Sequence, residues 1–99
     1  MSSSSPSNDL EVNFVAGLLF QVLDSIRYAQ DVFNPRYVSL ETRIKLRTTR
    51  ELKALAKAAA RVFCEETRRN PGKYVDQQSI ESLKATAIEQ ALARRESRK

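Results

Sequence analysis

The residue types in this chain that are best suited to chemistry are arginine and lysine, and they are concentrated in its middle third. Across residues 43–63, seven of twenty-one residues are basic and only Glu51 is acidic. On a helix, six basic residues of this region fall within an arc of about 80° and extend over about 37 Å. We call these six the basic row: Arg43, Arg47, Arg50, Lys57, Arg61 and Arg68.

The chemistry that the basic row favours is the binding of phosphate groups. Five of its six residues are Arg, whose planar guanidinium group forms paired hydrogen bonds with phosphate oxygens. A rigid line of such groups can follow a nucleic-acid backbone and gives salt-dependent affinity. Because the row contains no aromatic residue, stacking on single-stranded bases is disfavoured and a duplex is the better ligand. Recognition of shape without sequence preference is typical of double-stranded RNA.

Other interpretations of the basic row remain open. Basic stripes on helices often serve only as solvated faces. Glu51 and Glu65 border the row and could pair with Arg47 and Arg61 at a spacing of four residues. An acidic protein partner or an anionic membrane would also attract the row. The membrane is the weaker alternative, because the opposite stripe of the helix suits a protein core.

The sequence lacks the residue sets of common enzymes and metal sites. It contains no His and a single cysteine, Cys64, whose neighbours Glu65 and Glu66 oppose thiolate formation. These two carboxylates are adjacent, so on a helix they point about 100° apart and do not converge on a substrate. No Gly-rich phosphate loop or paired zinc ligands occur. We therefore expect a non-enzymatic protein without a cofactor or a metal, in which Cys64 is a packing residue.

The charge is unevenly distributed along the chain. The net charge is +5, but residues 1–35 contain one basic and four acidic side chains, a net of −3. Residues 36–99 contain sixteen basic and eight acidic side chains, a net of +8. This asymmetry indicates that the later part of the chain meets an anion while the first part has another role.

The first element that positions the basic row is a long apolar helix, predicted over residues 9–33. A Ser-rich leader, residues 1–8, precedes it and is expected to be disordered. The apolar residues of the helix repeat at alternating spacings of three and four, as in helices that pack lengthwise. They are Val12, Val15, Leu19, Val22, Ile26, Ala29 and Phe33.

The second helix carries the basic row and is predicted to run without interruption over residues 40–69. Pro35 ends the first helix, and Ser39 is the candidate cap of the second. The Asn-Pro-Gly sequence at 70–72 stops it. Thirty residues give a rod of about 45 Å. Its apolar inner face includes Leu52, Leu55 and Val62.

A third helix is predicted over residues 77–94, capped by Asp76, and residues 95–99 form a basic tail that is expected to fray. The chain is therefore expected to be all-α, with a single helical domain over residues 9–94. The first helix has more apolar surface than two neighbours can cover, so we expect a homodimeric helical bundle. The residues expected in the core or the dimer interface are Val15, Leu19, Val22, Ile26, Phe33, Leu52, Leu55 and Val62.

In a rival interpretation, the apolar residues that repeat every three and four positions along the first helix (its heptad residues) pack against a different protein. The chain would then be a helical adaptor subunit, and its basic row would be merely solvated. In either case we expect a location inside the cell, most simply the cytoplasm. The longest apolar run, residues 14–20, is far shorter than the ~20 residues that span a bilayer, and no basic export signal precedes it.

The order of these features resembles a known family. An apolar helix is followed by an Asn34-Pro35 turn. A long helix comes next, with Arg and Lys on the side opposite its apolar stripe, and after it come the 70–72 break and a last short helix. In layout, over about residues 10–92, this is similar to the small RNA-silencing suppressors of nodaviruses. The resemblance implies a dimeric four-helix bundle that binds double-stranded RNA along one face, and it favours RNA over DNA. No sequence motif is shared, so no site residue is transferred from the family.

Overall fold

The computed structural model describes residues 6–97, with side chains from Leu10 onward, and this part of the chain is all-helical. The all-α prediction is therefore confirmed for the described residues. Residues 1–5, most of the predicted leader, and residues 98–99 of the predicted tail lie outside them. Five helices follow one another: α1 Pro6–Tyr28, α2 Pro35–Val38, α3 Glu41–Lys45, α4 Thr49–Arg69 and α5 Gln77–Ser97.

Helix α4 lies between α1 and α5, and both neighbours run antiparallel to it. Near one end of α1, Arg68 lies 3.6 Å from Glu11, and near the other end Arg27 donates a 2.7 Å hydrogen bond to Thr49. On the other side, Ala58 of α4 faces the last turns of α5. The middle position of α4 explains why five of its Leu and Ala residues are almost completely buried. They are Leu52, Leu55, Ala56, Ala59 and Ala60.

The heptad residues of α1 form the other half of this core. Val15, Leu19 and Ile26 are buried, whereas Val22 and, on α4, Val62 are partly buried at its edge. The apolar side chains of α1 pack against those of α4, as the helical spacing of the apolar residues predicts. Cys64 is also buried, and this burial raises the pKa of its thiol, in agreement with a packing role.

Helix α1 ends at Tyr28, five residues before the predicted end at 33. The Lys45 ammonium group donates a 2.6 Å hydrogen bond to the carbonyl of Ala29, which gives this oxygen a partner where the helix stops. Phe33 therefore lies beyond the helix and is 88% exposed instead of joining the core. The assignment of Phe33 to the core of the single chain is wrong.

The segment that follows contains two short helices rather than the start of a long one. The Asn34 side chain accepts a 3.0 Å hydrogen bond from the Arg36 backbone N–H and starts α2 at Pro35. Ser39, the predicted cap, instead ends α2. Leu40 and Ile44 are buried, so this short pair of helices closes one end of the core.

The prediction of one continuous helix over residues 40–69 is wrong, because the chain is interrupted at residues 46–48. Thr48 is extended (φ −75°, ψ 165°) and starts α4 through a capping box. Its hydroxyl accepts a 3.1 Å hydrogen bond from the Glu51 N–H, and its own N–H donates to the Glu51 carboxylate at 2.8 Å. The latter bond lowers the pKa of Glu51. Two satisfied donors favour a new helix start over a continuing helix here.

Replacing Thr48 by Ala is expected to lower the free energy of unfolding by about 1 kcal/mol, because the first turn of α4 loses the acceptor for one of its free N–H groups. Urea denaturation followed by circular dichroism measures the change. Thr42→Ala is the matched control, since Thr42 is exposed and its hydroxyl makes no hydrogen bond within residues 6–97. Equal stability of the two variants would show that the capping box does not define the start of α4.

The connection to α5 agrees with the sequence. The Asp76 carboxylate accepts a 2.7 Å hydrogen bond from the Ser79 backbone N–H, which lowers its pKa, and α5 begins at Gln77 as predicted. The helix continues to Ser97, three residues past the predicted end at 94. This extension brings the last basic residues of α5 into a defined helical position.

Candidate nucleic-acid interface

The interruption before α4 removes two residues from the basic row. Arg43 donates from Nε and Nη2 to the two carboxylate oxygens of Glu96 at 2.9 and 2.7 Å. This paired contact raises the pKa of Arg43. Arg47 reaches the same carboxylate at 3.8 Å, and its side chain is only 19% exposed. Both arginines thus hold the end of α5 against the α3–α4 junction, and the continuous row of six predicted from the sequence is not present.

The four remaining members of the row do share one face of α4. At 100° per residue their side chains fall within an arc of about 40°, and they extend over about 27 Å. Arg50, Lys57 and Arg61 are exposed. Arg68, at the far end, lies 3.6 Å from Glu11 and is 57% exposed. The part of the row with the least neutralised charge therefore runs from residue 50 to residue 61.

Arg61 occupies the middle of the exposed basic area. On one side it lines a groove of about 340 Å³ together with Lys57 and Asn13 of α1. On the other side it lines a second groove, of about 190 Å³, together with Arg94 and Arg95 of α5. Both grooves are open to solvent. Guanidinium groups from α4 and from α5 thus line the same groove between the two helices.

Arg94 and Arg95 are not among the site residues predicted from the sequence, where Arg94 is the last residue of the third helix and Arg95 begins the fraying tail. The signal that could have found them is the antiparallel order of α4 and α5, which brings the end of α5 beside the first half of α4. Arg95 also contributes, with Arg47, to the lowered pKa of Glu51. We define the basic surface as Arg50, Lys57, Arg61, Arg94 and Arg95.

The acidic residues that border this surface are engaged elsewhere. Glu51 belongs to the capping box, and Glu65 lies 3.7 Å from Arg69 instead of pairing with Arg61. Within residues 10–97, no ion pair within 4 Å involves any member of the basic surface. Several positive charges therefore lie close together without a direct carboxylate partner, although Glu51 is near enough to Arg95 to interact with it electrostatically. Such a concentration of positive charge favours the binding of a polyanion.

A second surface is apolar and belongs to α1. Leu10 and Phe14 are each 69% exposed, and Leu18 is 38% exposed. They are spaced by four residues and lie on one side of the helix, which we call the outer stripe. Gly17 lies beside it, and a Cβ atom placed on Gly17 would meet nothing within 4 Å. The heptad residues Val15, Leu19 and Ile26 are buried within the chain, whereas the outer stripe is exposed to solvent.

The described residues form neither a metal site nor a membrane-spanning helix. Among residues 10–97, no cluster of three or more His, Cys, Asp or Glu side chains is arranged to hold a metal ion. Within the same part of the chain, no helix combines the length and apolar character that a membrane-spanning segment requires. The arrangement that remains is a charged, open surface with shallow grooves.

Comparison with known proteins gave no relative. No protein family model, no curated protein and no solved structure matches this chain.

Proposed function

We propose that this protein is a non-enzymatic binder of duplex nucleic acid that uses the basic surface of α4 and α5 and reads no base sequence. The observation that carries the proposal is the group of five Arg and Lys side chains without an ion pair in the described structure. These Arg and Lys groups would replace cations condensed around the nucleic-acid phosphates, and the release of those cations drives binding.

The shape of the surface favours a duplex over a single strand. The row on α4 and the pair Arg94 and Arg95 on α5 belong to packed helices, whose axes usually lie about 8–10 Å apart. Charges on both helices can contact phosphates of both strands of a duplex. The basic surface contains no aromatic side chain on which an unpaired base could stack. Arg94 and Arg95 broaden the surface, which partly replaces the length lost at residues 46–48.

RNA is favoured over DNA on two grounds. Proteins commonly recognise double-stranded RNA by its shape, through contacts with phosphates and 2′-hydroxyls across the minor groove. A surface that contacts phosphates and no base edges suits this form of recognition. The layout of the chain is also similar to that of the nodavirus suppressors, and suppression of RNA silencing is the biological role that this resemblance suggests. The turn at Asn34-Pro35 and the break at 70–72 belong to that layout, although the long helix of the layout is divided.

The second part of the proposal is that the protein is a homodimer, with the outer stripe of α1 at its two-fold interface. Leu10, Phe14 and Leu18 expose apolar area that a second copy of α1 can cover, and the absence of a side chain at Gly17 allows close approach of the partner helix. Since Asn13 borders the groove that contains Lys57 and Arg61, pairing along α1 places the basic surfaces of both copies in one assembly.

An adaptor role is the rival proposal. It keeps the outer stripe as an interface but assigns it to a different protein, and it treats the basic surface as solvated. The heptad residues Val15, Leu19 and Ile26, which the sequence offered to such a partner, are buried against the rest of the chain. The rival therefore rests on the same three exposed side chains as the homodimer.

Titration with nucleic acids of equal length tests the proposed function. The purified chain is added to double-stranded RNA, double-stranded DNA and single-stranded RNA at two salt concentrations, and the bound fraction is followed by fluorescence anisotropy. We expect the tightest binding to double-stranded RNA. Five phosphate contacts per protomer give a slope of about −4.5 in a plot of log K against log salt for a duplex. Equal, salt-independent binding to all three, or no binding, would reject the proposal.

A further inference from the structure

The end of α5 has a sequence feature that phosphate binding does not use. Arg94, Arg95, Glu96 and Ser97 follow one another, so two arginines precede a serine by three and two residues. Protein kinases with an acidic substrate groove select serines with this arrangement, because their carboxylates pair with arginines on the amino-terminal side of the acceptor. Ser97 and Arg94 are both exposed, and Arg95 is partly exposed.

We propose that Ser97 is a phosphorylation site for an arginine-directed protein kinase, and that its modification weakens nucleic-acid binding. The Ser97 Oγ attacks the γ-phosphorus of magnesium-bound ATP. The new Oγ–P bond forms as the bond from that phosphorus to the β,γ-bridging oxygen breaks. The products are ADP and phosphoserine, and the hydroxyl proton passes to the catalytic carboxylate of the kinase. The regulatory part of this proposal rests on the proposed function.

The contacts of Ser97 are weak enough for a kinase to displace. The Ser97 hydroxyl donates one 3.0 Å hydrogen bond, to the carbonyl of Arg94 in its own helical turn. The neighbouring Glu96 is held by Arg43 on the protein surface, at about one-third exposure of both side chains. Opening the last turn of α5 therefore breaks the Ser97 hydrogen bond and the surface contact between Glu96 and Arg43, but it moves no buried side chain.

The expected effect of the phosphate is electrostatic. A phosphoserine carries a charge of about −1.5 to −2 at neutral pH. At position 97 it lies within one helical turn of Arg94 and Arg95 and competes with nucleic-acid phosphates for them. It also adds negative charge at the carboxyl end of a helix and beside Glu96, both of which are unfavourable. The basic surface then loses the contribution of its α5 side.

No other serine in the sequence is preceded by arginines at both of these spacings. Ser39 has one arginine at the same spacing, Arg36, but Arg36 is already bonded to Ser82, and the residue between, Tyr37, is buried. Ser39 is therefore the matched comparison for the test, since it is also exposed. The two sites differ in the second arginine and in the contact that Arg36 makes with Ser82.

The test uses the full chain, the catalytic subunit of an arginine-directed kinase and magnesium ATP, with phosphate located by mass spectrometry of the intact chain and its peptides. One phosphate is expected, at Ser97, and it should be lost in Ser97→Ala and retained in Ser39→Ala. Phosphate on Ser39 alone, or none, would overturn the site. This measurement contains no nucleic acid, so its failure is distinct from failure of the proposed function.

The regulatory effect is measured on the same material. Phosphorylated and unmodified chains are compared for binding to double-stranded RNA, and Ser97→Ala treated with the kinase serves as the control. Loss of two phosphate contacts at 0.1 M salt corresponds to a roughly 10- to 50-fold weaker binding. Equal affinities of the phosphorylated and unmodified chains would overturn the regulation and leave the modification site in place. Absence of binding by the unmodified chain would instead reject the proposed function.

Discussion

Replacing Arg50, Lys57 and Arg61 together by Gln is expected to weaken binding to double-stranded RNA roughly 100-fold at 0.1 M salt. Each lost phosphate contact removes about 0.9 from the slope of log K against log salt, so the slope of the variant should be smaller by nearly 3. All three side chains are exposed. Exposed substitutions of this kind change the free energy of unfolding by only about 0.5 kcal/mol each. Anisotropy titrations at several salt concentrations provide both quantities.

The control for this variant must remove the same charge from elsewhere. Gln replacements of Arg36, Lys73 and Lys84 do so, because these residues contact Ser82, Tyr74 and Glu81 rather than the basic surface. The control should keep most of its affinity and nearly the full salt slope. If the two triple variants bind equally weakly, net charge rather than the position of the basic surface determines binding.

Phe14→Glu is expected to dissociate the proposed homodimer. The side chain is 69% exposed in the single chain and lies in the centre of the outer stripe. A two-fold interface would bury two copies of the new carboxylate near each other, and burying an unpaired charge costs several kcal/mol. The dimer dissociation constant should therefore rise at least about 100-fold. Sedimentation equilibrium or light scattering over a concentration series measures this change.

Phe33→Glu is the matched control for the dimer. It makes the same substitution at a side chain that is 88% exposed but lies beyond the end of α1. We expect this variant to remain dimeric. Dissociation by Phe33→Glu and not by Phe14→Glu would place the interface at the 29–37 segment. A wild-type chain that is monomeric at all concentrations would favour the adaptor proposal.

The all-α fold could be predicted from the sequence because its main signals are local. The spacing of Val15, Leu19 and Ile26 identifies the buried side of α1, and Asp76 identifies the start of α5. Leu52 and Leu55 are likewise found on the buried face of α4, because their spacing matches the period of a helix. Each of these features is decided by residues within a few turns of one another.

The division of the second helix had a local signal that the prediction did not use. Thr48 and Glu51 form a capping box, a pattern visible in the sequence as Thr-x-x-Glu. The continuous helix over 40–69 was predicted from its boundaries, Ser39 and the 70–72 sequence, and from its apolar inner face, without weighing this pattern. In the structure, the Thr48 hydroxyl accepts a hydrogen bond from the backbone. The burial of Leu40 and Ile44 at one end of the core accompanies this change of direction.

The composition of the candidate site depended on contacts that no local pattern encodes. Glu96 lies 53 residues from Arg43, and only the antiparallel packing of α5 on α4 brings them together. The same packing adds Arg94 and Arg95 to the exposed residues of α4. The helical period correctly placed Arg50, Lys57 and Arg61 on one exposed face. It could not show which basic residues are paired with distant carboxylates.

The most direct test of the basic surface is a map of the amide signals that change when duplex RNA is added to the ¹⁵N-labelled chain. We predict that the largest changes lie in the segment 50–61 of α4 and at Arg94 and Arg95 of α5. The α2 helix and the first half of α5 should be little affected. Changes centred on the outer stripe of α1 or on α2 and α3, with none along 50–61, would contradict the proposed interface.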